Sequence, residues 1–168
     1  MKLIDYLQNE DLCSVGVKLG EHLAADQQLI DYCNEHFGKA ATIIVGPPEA
    51  YMPDADDAPY IFLHDFGKNE GANQTSALYE CVVTVGIATD EVDAISDAGV
   101  KIFAGQQRVS EMLTLLQDSL YRYKDSCQPP AKVEQLMPGM PGNNPQHWEG
   151  FLSATWELPL SIGEQNHF

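Results

Sequence analysis

Five histidines and 25 acidic residues give this 168-residue chain ample material for acid–base or metal chemistry, so spacing decides what they can do. His64-Asp65 resembles the adjacent histidine–aspartate pair of metal-dependent phosphohydrolases, but such sites need further His and Asp ligands. The pair sits in an apolar run, Tyr60–Phe66 (YIFLHDF), that reads as a strand, where neighbouring residues point to opposite faces and cannot share one ion. A buried or hydrogen-bonded histidine is the expectation there. Asp54, Asp56 and Asp57 crowd one loop and offer oxygens to Ca²⁺, yet the sixth-position glycine and twelfth-position glutamate of an EF-hand are missing. Glu35-His36 has no second histidine one turn away, as a zinc-binding H-E-x-x-H helix requires. Ser153 and Ser161 lack the flanking glycines of a nucleophile elbow. Gly46-Pro47-Pro48 lacks the lysine and the backbone N–H groups of a phosphate-binding loop. No catalytic, cofactor-binding or metal-binding residue is assigned, no cofactor is expected, and the chain is read as a non-enzyme.

The elements that would position any site are led by the run from Trp148 to Ile162. Trp148, Gly150, Leu152, Ala154, Trp156, Leu158, Leu160 and Ile162 alternate with Glu149, Phe151, Ser153, Thr155, Glu157, Pro159 and Ser161. Period-two alternation predicts a strand with one buried face. At roughly 3.3 Å per residue it would reach about 50 Å, long enough to overhang a small domain and to need a neighbour. Both tryptophans fall on the buried face; Phe151, on the other, is either an ordinary exposed aromatic or an interface anchor. Tyr79–Ala88 alternates in the same way, and Lys39–Gly46 (KAATIIVG) is a short β-rich run closed by two prolines.

Leu23, Leu29, Ile30, Cys33 and Phe37 predict a helix over Glu21–Phe37, stopped by Gly38. Val109, Met112, Leu113, Leu116, Leu120 and Tyr123 predict an amphipathic helix of about five turns. The stretch from Pro47 to Pro59 reads as a loop or arm, and Gly67–Ala77 as a polar hairpin loop. Asp90–Asp97 reads as a short turn or helix, and Gln128–Pro145, rich in Pro and Gly, as a crossing without regular structure. The expectation is one α+β domain over residues 1–168: a two-layer fold, a mainly antiparallel sheet of about four long strands, and two helices packed on one face.

Nine Lys and Arg against 25 Asp and Glu leave a formal charge of −16, which repels phosphate backbones and anionic membranes. Tight nucleic-acid binding and membrane association are therefore not expected. The opening MKLIDYLQNEDLCSVG has no apolar stretch typical of a leader, and no run approaches the length of a membrane helix. The expectation is a soluble protein, intracellular at synthesis, with Cys13, Cys33, Cys81 and Cys127 as free thiols and Cys33 and Cys81 as small buried hydrophobes.

In its order of elements the chain resembles the tail-terminator and tail-completion proteins of long-tailed bacteriophages, of the lambda type. The likeness lies in the N-terminal helix leading into KAATIIVG, in the pair YIFLHDFG and LYECVVTVGIAT, and in VKIFAGQQRVSEMLTLLQDSL followed by WEGFLSATWELPLSI. The resemblance implies a structural subunit, from a phage or prophage, that self-assembles as a ring, commonly a hexamer. Such a ring caps the tail tube, stops its polymerisation and meets head–tail joining proteins. It further implies a life in the bacterial host cytoplasm during assembly and then in the virion tail. Candidate interface residues are Phe151 and Glu149 on the last strand and Lys68, Asn69 and Asn73 in the polar loop. The alternatives are an acidic protein-binding module such as a DNA mimic and, more distantly, a small metal-dependent hydrolase using His64 and nearby acids.

Overall fold

The computed structural model describes residues 12–69, 76–90, 94–123, 129–139 and 146–159. The chain opens with α1 (Leu12–Ala24) and α2 (Gln27–Phe37), where sequence periodicity predicts one helix. The break falls at Asp26, whose extended backbone and carboxylate cap α2 by accepting from the N–H groups of Gln28 and Leu29 at 3.0 and 3.4 Å. The six-residue step from Leu23 to Leu29 is itself no helical interval, so both can face the core only if the chain turns between them. Gly38, at φ 71°, takes the left-handed turn that ends α2.

β1 (Thr42–Val45), β2 (Tyr60–Asn69), β3 (Ser76–Ala88), β6 (Lys132–Gly139) and β7 (His147–Pro159) form one sheet in the order β1-β2-β3-β7-β6. Only the β1–β2 pair is parallel; the rest are antiparallel. A separate two-stranded hairpin, β4 (Ala94–Ile95) with β5 (Lys101–Ile102), precedes α3 (Ala104–Arg122). The architecture is α+β, with five strands in the main sheet rather than four and with three helices among the described residues.

The helices lie on one face. α1 packs over β1 and β2, while α3 covers β3, β7 and β6 and touches α2. Leu152, Ala154 and Trp156 of β7 and Val83, Val85 and Ile87 of β3 are buried against Val109, Met112, Leu113 and Leu116 of α3. Full burial of each such aliphatic side chain contributes on the order of 1.5–3 kcal/mol. Gly150 lets α3 come close: a Cβ there would lie 2.5 Å from Val109 and 2.8 Å from Leu113. The second face carries a smaller cluster of Ala58, Tyr60 and Phe62, with Ile44 and Ala88 beside it.

Several expectations are corrected. β7 does not overhang within the described residues, because β3 matches it residue for residue from Ser76↔Pro159 to Ala88↔His147. Leu160–Ile162 lie outside the described residues. The Pro/Gly-rich crossing contains β6, whose Pro138 falls in the slip of register between Leu136 and Gly139, on the strand at the end of the sheet, where proline is tolerated. Within Asp90–Asp97, Ala94–Ile95 forms strand β4. Lys68 and Asn69 belong to β2 rather than to a loop, paired with Tyr79 and Leu78; Asn73 lies outside the described residues.

Candidate functional site

Polar side chains gather on the face away from the helices. The Tyr60 hydroxyl donates to Glu149 Oε1 and lies 3.2 Å from His147 Nε2. With the phenol proton committed to the carboxylate, His147 Nε2 is the donor in the second contact. Tyr60 reaches Glu149 by lying across Gly86, where a Cβ would be 2.0 Å from the phenol ring. The register places Tyr60, Gly86 and Glu149 in one row across β2, β3 and β7. Burial, then the Glu149 carboxylate, raises the Tyr60 pKa well above its ordinary value. Tyr60 itself has no exposed surface, and its hydroxyl ties β2 to β7.

Four residues further along β2, His64 Nδ1 lies 3.0 Å from Asp65 Oδ2, and His64 Nε2 lies 2.8 Å from the Thr84 hydroxyl. On a regular strand adjacent side chains diverge, as the sequence leads one to expect. Here a bulge between His64 and Gly67, with Asp65 at φ 50°, turns the carboxylate back to the histidine. The carboxylate can only accept, so Nδ1 carries the proton and Nε2 accepts from Thr84. The order acid–imidazole–hydroxyl is that of a hydrolytic relay. An oxyanion needs free N–H donors, however, and Thr84 lies in the interior strand β3, in register with Phe62 and Phe151, where the sheet ladders take up the backbone N–H groups.

A third group joins the helices. The buried Ser119 hydroxyl donates to Asp26 Oδ2 at 2.5 Å, and Arg122 Nη2 reaches the same oxygen at 3.0 Å. His22 Nε2 lies 2.9 Å from the Ser119 carbonyl and 3.1 Å from its hydroxyl. A carbonyl only accepts, so Nε2 is protonated and cannot take the serine proton. The constellation pins the α1–α2 turn to the end of α3. Burial opposes ionisation of Asp26, but the bonds from Ser119, Arg122 and the Leu29 N–H outweigh it and hold its pKa below the ordinary value. Among the described residues no three His, Cys, Asp or Glu side chains converge as a metal site would require.

Of the candidate interface residues, Phe151 is half-buried, in the row Phe62–Thr84–Phe151–Leu136. Its outer neighbour Leu136 is 66% exposed. Glu149 is engaged inside the chain by Tyr60. Lys68 lies on the helix-covered face, its ammonium 5.7 Å from the Tyr79 ring centroid. Sequence reasoning missed the Tyr60–Glu149 tie. Its one signal was Gly86 within a β-branched run, since a glycine inside a strand often marks a close approach. Compared with known protein families and with curated proteins, the chain matches none. Among the described residues no helix is long and apolar enough to cross a membrane.

Proposed function

We propose that this chain is a structural subunit of a phage tail, assembling as a ring that caps the tail tube, stops its growth and presents a surface to head–tail joining proteins. The observation that supports this reading best is where the exposed large apolar side chains sit. Tyr51 and Met52 lie on the arm before β2, Ile95 and Val100 on the β4–β5 hairpin, Phe103 just after it, and Leu136 on the outermost strand, with Val17 on α1 and Tyr121 on α3. The most exposed of these, Met52, Ile95, Val100 and Leu136, lie on the arm, the hairpin and the edge strand. A protein that works alone keeps such side chains inside or scattered singly. One held between several neighbours exposes them in several places. A two-stranded hairpin is also marginal by itself in water, and packing against a partner would steady it.

The hairpin follows the end of β3 and the arm precedes the start of β2, so both belong to one end of the sheet. That end is assigned to the axial contact with tube or neck. The strongly acidic composition suits a ring whose opening must let DNA pass without sticking. The test is to mix the purified chain with tail tubes that lack their natural cap and image them by negative stain. A cap at one tube end, lost in Ile95→Asp/Val100→Asp, is the expected result. Bare ends at all protein concentrations would remove the proposal.

A further inference from the structure

We infer that the lateral partner is a second copy of this chain, its β2 edge pairing with β6 so that one sheet continues from subunit to subunit. The inference rests on the ring reading and names its subunit contact. β6 is held on its inner side by β7, from Lys132↔Thr155 to Leu136↔Phe151. Among the described residues no strand lies on its outer side. Pro138 and the slip in register after Leu136 limit the regular edge to Lys132–Leu136.

The other end of the sheet leaves a stretch of similar length. β1 covers β2 only from Tyr60 to Leu63, and the Gly46 N–H closes this contact on the Leu63 carbonyl at 3.1 Å. Pro47 and Pro48 then lead the chain elsewhere. From His64 to Asn69 no strand borders the outer side of β2 among the described residues.

The two open stretches overlap in height from Lys132 to Glu134, while Gln135 and Leu136 lie level with Leu63 and Phe62, which β1 covers. Lys132 is in register with Thr155, Glu80 and Gly67, and Glu134 with Ser153, Val82 and His64. Three antiparallel steps separate β6 from β2, so the two run in opposite directions. Copies related by rotation about an axis along the strands therefore bring β6 against the next β2 antiparallel and level. The contact joins two different surfaces, which repeats around a circle and closes without a leftover edge. Charge agrees with it. Lys132 shares a face with Thr155, and the bulge turns Asp65 to the same face; their side chains are 64% and 62% exposed. Edge charges normally discourage strand addition; here Lys132 is ion-paired with Glu134 at 2.9 Å and Asp65 lies 3.0 Å from His64, and the pairing requires Lys132 to exchange its in-strand partner for the aspartate of the next copy.

Carbodiimide cross-linking of the unmodified chain, concentrated alone and on tubes, followed by peptide mass spectrometry, tests the pairing. Within one chain Lys132 and Asp65 sit at opposite ends of the sheet, beyond a zero-length bond. The expected result is a Lys132–Asp65 amide found only in species of two or more copies. Lys132→Glu should weaken self-association several-fold, and Lys132→Glu/Asp65→Lys should restore it, each with an unchanged circular dichroism spectrum. Caps that form on tubes with cross-links mapping elsewhere would overturn the edge pairing and leave the ring reading standing. The amide appearing without any cap would do the reverse, and oligomers without the amide in both conditions would also overturn the pairing.

Discussion

Gly86 controls whether Tyr60 can cross β3 to Glu149, since its missing side chain is the space the phenol occupies. Gly86→Ala should displace the ring and destabilise the chain by about 1–3 kcal/mol, the usual range for overpacking a filled site, read by urea denaturation. Tyr60→Phe, which keeps the ring and removes the hydroxyl, should cost less, because Glu149 retains some exposure to water. The thiols give a second check at this scale. Burial raises the pKa of Cys33 to about 11 and pushes that of Cys81 up further, while Cys13 is exposed. A maleimide at neutral pH should modify Cys13 in the native protein, and Cys33 and Cys81 only after unfolding. At residue level the sequence showed the buried apolar stripes of β3, β7 and α3 and the burial of both of these cysteines. It did not show which polar ones meet. The pairs Tyr60–Glu149 and His22–Ser119 join residues far apart in the chain, and no local spacing records them.

Among the elements, the α1–α2 turn depends most on a single charge. Asp26 caps α2, accepts from buried Ser119 and pairs with Arg122, so Asp26→Ala should cost about 1–2 kcal/mol or more, with a matching fall in melting temperature. The pH dependence has a definite sign. A carboxyl whose folded pKa is depressed stabilises the fold above its unfolded value, here the ordinary 3.8, and loses that contribution as pH falls through the lowered folded value. The gap in melting temperature between wild type and Asp26→Asn should therefore be largest near neutrality and shrink under acid conditions. β3, β7 and α3 were legible because their apolar residues keep one period over many residues. β6 was not, since proline and glycine dominate its neighbourhood and only an end position in the sheet makes it a strand. The extension of β2 past Phe66 was hidden for a related reason: the bulge at Asp65 resets the alternation that a period-two reading relies on.

For the whole molecule, the long last strand proved to be one of a matched pair with β3, so its length does not by itself call for a neighbour. What does call for neighbours is the distribution of the most exposed apolar side chains over arm, hairpin and edge, together with two open stretches at the sheet's ends. The hairpin and the edge should fail independently. Ile95→Asp/Val100→Asp should abolish attachment to tubes while leaving the Lys132–Asp65 cross-link, and Lys132→Glu should weaken self-association with the hairpin intact. Composition made the acidity legible, but nothing in the sequence located the projections, because exposure depends on how the elements pack. The most direct measurement is the length distribution of tubes polymerising from purified tube protein as the chain is added in rising amounts. Growth that halts early, with each stopped tube carrying a multi-copy cap at one end, is the result the ring proposal requires. Tubes of unchanged length with bare ends, at chain concentrations well above that of tube ends, would contradict it.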